Sequence, residues 1–352
     1  MLYTMVIVIC LLVYFASIFT GGKSYREVRE LFYGNYYAED AVINNDDKPN
    51  SEAAVRRCVE NGIGIKTAVH ITKDGRVLVS TYADLNREYD LDKNISDITS
   101  EEVEEKGILT LTDLINLTEG KVPLILELKV GVDNQKLCRL VSETIKASEH
   151  QNIAVCSFHA GIIAWFRDRS KDIFRGVVSA PPSDFKNLSK FQRFMTGNLG
   201  NNGNMKPNFM LYRNKPYSVF VKFAIASGVL NGVWTITDAD EGKRLEEIRD
   251  MIVVRGFMPE TVHFRDLPAV QLTEEQEKAL AKAEAAKKPV RQRSIAEILA
   301  DDELENEEKL DELKEEFEEI AGEVKEEISE FVEEAKEEIA EIKEKLITPD
   351  EE

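Results

Sequence analysis

The chain has 352 residues and a formal net charge of −20 at pH 7, enough for one large domain or two ordinary ones. The charge is local: residues 301–352 hold 25 Asp/Glu and 6 Lys, a net of −19, so residues 1–300 sum to −1. A near-neutral body lacks the basic footprint of a nucleic-acid binder, and no nucleic-acid partner is expected.

Residues 2–20, LYTMVIVICLLVYFASIFT, carry no charge. Roughly 20 apolar residues make one bilayer crossing, so 1–22 is expected to be a transmembrane anchor and the protein single-pass. A cleaved signal peptide is the rival, but the basic n-region is missing and the cleavage site is poor. Lys23, Arg26 and Arg29 follow the run and no side-chain charge precedes it. The positive-inside rule then places the body in the cytoplasm, although Glu27 and Glu30 are mixed into the same flank. Cys10, Cys58, Cys138 and Cys156 have neither CxxC nor metal-knuckle spacing. Free buried thiols in a reducing compartment are expected rather than a disulfide framework.

From about 36 to 268, β-like runs alternate with amphipathic helical stretches. Ser51–Asn61 reads as a helix with Ala54, Val55, Cys58 and Val59 on one face. GIGIKTAVHITKDGRVLV (62–79) reads as two strands around a Lys73-Asp74-Gly75 turn. TSEEVEEK (99–106) opens with a cap and a carboxylate-rich first turn, and LTLTDLINLTEG (109–120) is a helix closed by glycine. VPLILELKV (122–130) is nearly all apolar, as a strand buried on both faces of a parallel sheet would be. Helix 134–147, IAVCSF (153–158), helix 160–170 and GVVSA (176–180) follow. PNFMLY (207–212), helix 217–227, GVWTIT (232–237), helix 240–251 and ETVHF (260–264) repeat the rhythm. Such alternation predicts an α/β fold, a closed (β/α)8 TIM-type barrel of typical length about 250 residues. An open doubly wound sheet is the alternative. No Gly-rich phosphate or dinucleotide fingerprint follows any strand, and Gly200–Asn204 reads as a plain loop.

Residues 271–300 form a helical and basic linker. Its KKPVRQR (287–293) suits either a solubilising spacer or a membrane-surface contact. In the acidic 301–352 tail, Phe317, Ile328 and Ile339 are 11 apart. An 11-residue repeat favours a straight or right-handed coiled coil. Its Glu-rich polar face argues for self-association or a basic protein partner over anionic lipid. A long solvated single helix is the remaining alternative.

The stretch 36–270 resembles the glycerophosphodiester phosphodiesterase family, most closely its membrane-anchored bacterial branch. The resemblance rests on ITKDGRVLV (71–79), ILTLTDLINLTEGKVPLILELK (108–129), SFHAGIIAWFR (157–167) with DIFRG (172–176), and GVWTITD (232–238) in order. It implies a barrel over 23–270 and phosphoric diester hydrolase chemistry in lipid metabolism. In that family, one divalent metal is held by the Glu and Asp of an E-L-D strand and the Glu of an E-I-K strand. A hard cation of this kind wants carboxylate oxygens. Histidines in H-R-G and H-D segments act as acid and base.

Position by position, most of this is replaced. The H-R-G tripeptide falls on Glu39-Asp40-Ala41, and the P-E-N segment falls near Pro49-Asn50-Ser51. The E-L-D triplet falls on Lys66-Thr67-Ala68, and the H-D histidine falls on Thr81. Only Glu127 survives as a ligand, with Lys129 beside it. His70 shares a face with Lys66 and Ala68 but matches a variable position and reads as structural. His150, His159 and His263 match no catalytic position. No catalytic residue, no metal and no cofactor is therefore expected. Lys66 is expected to pair with Glu127, joined by Glu39 or Asp40, in place of the metal.

The resulting expectation is a membrane-anchored pseudoenzyme serving as scaffold, sensor or assembly platform. Two alternatives stay open. One is an active phosphodiesterase with Mg²⁺ or Ca²⁺ on a rearranged Glu39, Asp40 and Glu127 site. The other is a binder of a phosphate-bearing ligand through Lys66, Lys129 and Arg87.

Overall fold

The computed structural model describes residues 18–22 and 26–268, apart from the side chains of Arg87, Glu88, Ser100 and Glu104. Most of the anchor run, the 271–300 linker and the 11-residue repeat of the tail lie outside the described residues. Among the described residues no helix is long and apolar enough to cross a membrane. The chain divides into two units, Met1–Leu267 and Pro268–Glu352, and the first contains the barrel.

Its strands are β1 (Asn35–Glu39), β2 (Gly64–Ile71), β3 (Val77–Val79), β4 (Leu124–Leu128), β5 (Ile153–Ser157), β6 (Phe174–Ser179), β7 (Phe209–Arg213), β8 (Leu230–Ile236) and β9 (Met251–Val254). The sheet runs β1-β9-β8-β7-β6-β5-β4-β2, with β1 also paired to β2. That ring of eight parallel strands closes a TIM-type barrel and removes the open-sheet alternative. β3 lies antiparallel on β2, Val69 opposite Val79, as the hairpin reading of 62–79 expects.

Alternation along each strand divides the core. On β4, Leu124, Leu126 and Leu128 pack outward under the helices, whereas Ile125 faces the barrel interior with Tyr37, Ala154 and Cys156. Aromatic rings fill the barrel floor: Phe32 stacks on Phe174 at 4.8 Å and Phe174 on Phe209 at 5.4 Å. Gly176 makes that possible, because a Cβ there would overlap the Phe209 ring.

The helices start where their caps dictate. Ser51 Oγ accepts from Ala54 N ahead of Glu52–Glu60. Thr110 and Asp113 form a reciprocal capping box ahead of Leu111–Thr118, which satisfies two orphan donors at once. Asp133, Ser189, Ser218 and Asp238 cap later helices in the same way.

Three expectations need correction. The helix expected over 240–251 ends at Leu245, and the residues that follow supply β9. ETVHF is not the last strand; it contributes one bridge, His263 to Asn35. Gly200–Asn204 is not a plain loop, because Asn202–Met205 is helical and Asn202 is fully buried. Cys58, Cys138 and Cys156 are buried free thiols, while Cys10 lies outside the described residues.

Candidate functional site

Parallel pairing sets Ala68 opposite Glu127 and Lys66 opposite Ile125, and β1 brings Glu39 level with Lys66. Ile65 and Val69 face outward into the helix layer, so by period-2 alternation Lys66 and Ala68 face the interior. Their face is therefore the barrel mouth at the carboxyl ends of the strands.

Lys66 is 4% exposed and Glu127 2%. The Lys66 ammonium donates to Glu39 Oε1 at 2.6 Å and also to Glu127 Oε2. Lys129 Nζ pairs with the other oxygen, Glu127 Oε1. Glu39 Oε2 accepts from Thr235 Oγ1 at 3.0 Å. Asp40, the other proposed partner of Lys66, turns away: its Oδ2 accepts from Arg255 at 2.6 Å, and its Oδ1 has no partner. Three carboxylates (Glu39, Asp40, Glu127) thus face three cations (Lys66, Lys129, Arg255), and the formal charge of the mouth cancels.

Thr81, where the sequence resemblance puts the second histidine, is engaged by Asn50. Asn50, held by Asp40 O at its backbone N–H, accepts from Thr67 Oγ1 at 2.6 Å. It donates through Nδ2 to Thr81 Oγ1 at 3.3 Å. This is a neutral amide–hydroxyl cluster with no group able to shuttle a proton near neutral pH.

The electrostatics follow from burial and pairing. Burial alone would push the Glu127 carboxyl up, but Lys66 and Lys129 outweigh it and hold the group at about 2. Burial also opposes the charge on Lys66, yet Glu39 and Glu127 hold the ammonium well above an ordinary lysine. Glu39 moves the other way. Its burial dominates, Lys66 opposes it, and the carboxyl is raised. Glu127 is thus the firm anion of the network and Glu39 the softer one.

A divalent cation does not fit these residues. Ala68 offers no donor, both Glu127 oxygens are committed to ammonium groups, and one Glu39 oxygen is too. Ca²⁺ wants six to eight oxygens and Mg²⁺ a near-octahedral set. Among the described residues no group of three or more His, Cys, Asp or Glu side chains could hold a metal ion.

The remaining histidines lie elsewhere. His159 precedes the helix Ala160–Arg169, and His150 lies against Gly120. His263 bonds Asn35 Oδ1 and Asp266 Oδ1 at 3.0 and 2.9 Å. His70 is buried with its Nε2 unpartnered. Burial and the Lys129 charge lower it to about 4, so it is neutral in the folded state. Because its folded pKa lies below the unfolded value near 6.5, the stability it contributes is lost as pH falls from there. Between pH 7 and 5 the loss is about 2 kcal/mol. His70→Gln is expected to flatten that part of a melting-temperature profile, and an unchanged slope would count against it.

Aromatic side chains still rim the mouth. Phe158 meets Trp234 edge-on at 5.7 Å and Phe185 at 6.3 Å, and Lys129 Nζ lies 5.8 Å from the Phe158 ring centre. A cavity of about 580 Å³ opens beside them, lined by Phe158, Phe185, Leu188, Met195 and His159. A smaller one of about 460 Å³ lies over Trp234, Thr235 and Arg213. Sequence reasoning missed Thr235, Arg255 and Asn50 as members of the mouth network. The side chain of Arg87 lies outside the described residues.

No protein-family model matches the chain, and no curated protein matches it. Solved structures do share its fold. A phosphodiesterase from Oleispira antarctica, solved with the product sn-glycerol-3-phosphate, is similar over 64% of this chain and 94% of its own, at 19% identity and a TM-score of 0.53. A glycerophosphodiester phosphodiesterase from Agrobacterium tumefaciens is similar over 63% of this chain and 97% of its own, at 13% identity and a TM-score of 0.50. These are structures of the family that the sequence motifs resemble, and the likeness establishes the common barrel fold.

Proposed function

We propose that the chain is a membrane-anchored, non-catalytic relative of the glycerophosphodiester phosphodiesterases, its barrel serving as a scaffold, sensor or assembly platform. The observation that carries this reading is the buried Lys66 ammonium, set between Glu39 and Glu127. On this reading a fixed internal cation stands in for the metal, and Glu39 and Thr81 replace both proton-transfer histidines. Residues 2–20 provide the anchor, with the barrel on the cytoplasmic side. The 301–352 tail supplies the protein-interaction or self-association element.

The rearranged-metal alternative is disfavoured because Asp40 is engaged by Arg255 and Glu127 by two lysines. The phosphate-binder alternative meets a parallel obstacle. Lys66 and Lys129 both already pair with Glu127, so an anion would have to displace a buried carboxylate from them.

The test is a turnover assay on purified residues 23–270 with glycerophosphodiesters and Mg²⁺, Ca²⁺ or Mn²⁺. Release of glycerol phosphate is expected to equal that of a Glu127→Ala control. Metal-dependent release above that control would overturn the proposal.

A further inference from the structure

The segment between β6 and β7 builds a wall of its own beside the mouth. Pro181 and Pro182 carry the chain out of β6, and the helix Lys190–Gly197 brings it back, started by a reciprocal Ser189–Gln192 capping box. Gly197 closes the flap, because a Cβ there would overlap Pro182. Ser179 Oγ donates to Thr196 O at 2.7 Å and the Tyr212 hydroxyl to Gly197 O at 3.0 Å, which fastens the helix end to β6 and β7. Arg193 ties the tip by donating to the carbonyls of Leu188 at 2.8 Å and Lys186 at 2.6 Å. The cavity of about 580 Å³ under this flap is therefore preformed. Its volume lies in the range of small-molecule sites, roughly 300–1,000 Å³.

The cavity is separate from the ion-pair network. None of Glu39, Lys66, Thr81 and Glu127 lines it. Its most buried lining residues, Val177, Leu199 and Met205, belong to the apolar cluster under the helices, so it descends from the rim into the helix layer. Leu188 and Met195 line it higher up, and methionines there and below adapt to a flexible guest. Its rim is cationic. From Phe185 to Thr237 the sequence holds seven Lys or Arg and no Asp or Glu. Lys186 lines the cavity and Lys190 is exposed on the adjoining helix. Neither they nor Arg193 has a carboxylate partner among the described residues, and the nearest carboxylate in sequence, Asp184, is paired with Arg213 at 2.7 Å. A deep apolar well under an uncompensated positive rim is complementary to an apolar chain that ends in a negative group.

We infer that this cavity binds a single-chain anionic amphiphile, its chain against Val177, Leu188, Met195 and Met205 and its headgroup at Lys186 and Lys190. Carboxylate and phosphate heads share this chemistry. The inference supplies a ligand for the sensor role proposed above, at a site that takes no part in the mouth network. Turnover in the diester assay would bear on the mouth and leave this site standing.

The test irradiates the full chain, in phosphatidylcholine nanodiscs, with a diazirine-bearing decanoate and maps the labelled peptides by mass spectrometry. Label is expected on 158–161 and 185–199, and unlabelled decanoate is expected to displace it. Octanoate, two methylenes shorter, should need roughly fifteen times the free concentration, at about fourfold per buried methylene. Decyltrimethylammonium, with the same chain and the opposite charge, should compete less well than decanoate. Decyl phosphate competing better than decanoate would assign the head as phosphate, and the reverse order as carboxylate. Leu188→Trp should fill the cavity and abolish the label at an unchanged melting temperature, and Asn187→Trp, at an exposed lining position, is the second variant should the first not fold. Lys186→Glu with Lys190→Glu should weaken labelling by roughly fivefold, the upper end for an exposed ion pair, and Lys186→Arg with Lys190→Arg should preserve it. Label confined to other peptides, label at the cavity that decanoate does not displace, or equal competition by decyltrimethylammonium overturns the inference.

Discussion

Lys66→Met is expected to destabilise the barrel by about 3 kcal/mol, near the low end for stripping one partner from a buried ion pair. In a domain of this size that is a fall in melting temperature of roughly 6–12 °C. The low end applies because Glu127 keeps Lys129 and Glu39 keeps Thr235 Oγ1. The residual cost falls on Glu39, which burial already pushes toward its neutral form. Adding Glu39→Gln to Lys66→Met should therefore recover part of the loss, because the amide has the same shape and no charge to strand. The two substitutions are expected to be non-additive, as neighbours in one network are. A Lys66→Met protein melting at the wild-type temperature would show that the ammonium is not integral to the mouth.

The mouth was half legible in the sequence, and the missing half has one cause. Lys66 and Glu127 can be paired on paper because the family resemblance puts both at metal-ligand positions, on strands that are neighbours in that family's barrel. Arg255 could not be placed, because MIVV at 251–254 is a short apolar run that continues the face of an amphipathic helix. Periodicity does not separate a buried four-residue strand from a helix end. With Met251 closing the expected helix 240–251 and residues 252–254 assigned to no element, Arg255 had no assigned place opposite Asp40, 215 positions away in sequence. Asn50 was hidden differently. It sits in a loop at positive φ, where no periodic pattern says which way a side chain turns.

The last expected result runs opposite to Lys66→Met, by rebuilding a cation site in place of the ion pair. Lys66→Glu with Ala68→Asp puts two carboxylates on the interior face of β2, beside Glu127 on β4. The mouth then holds five carboxylates against Lys129 and Arg255, a net of −3 where the natural mouth sums to zero. Without a cation these oxygens repel one another, so the variant should melt well below wild type in chelator. With Ca²⁺, Mg²⁺ or Mn²⁺ at about a hundred times its dissociation constant, binding should return roughly 2.7 kcal/mol. That is a rise of roughly 5–11 °C, while the wild-type melting temperature stays flat. Turnover should remain absent, because Glu39 and Thr81 still stand where proton-transfer histidines would be needed. A folded variant with the same melting temperature in chelator and in each cation would mean that the scaffold, and not only its ligands, has lost the geometry of a metal site.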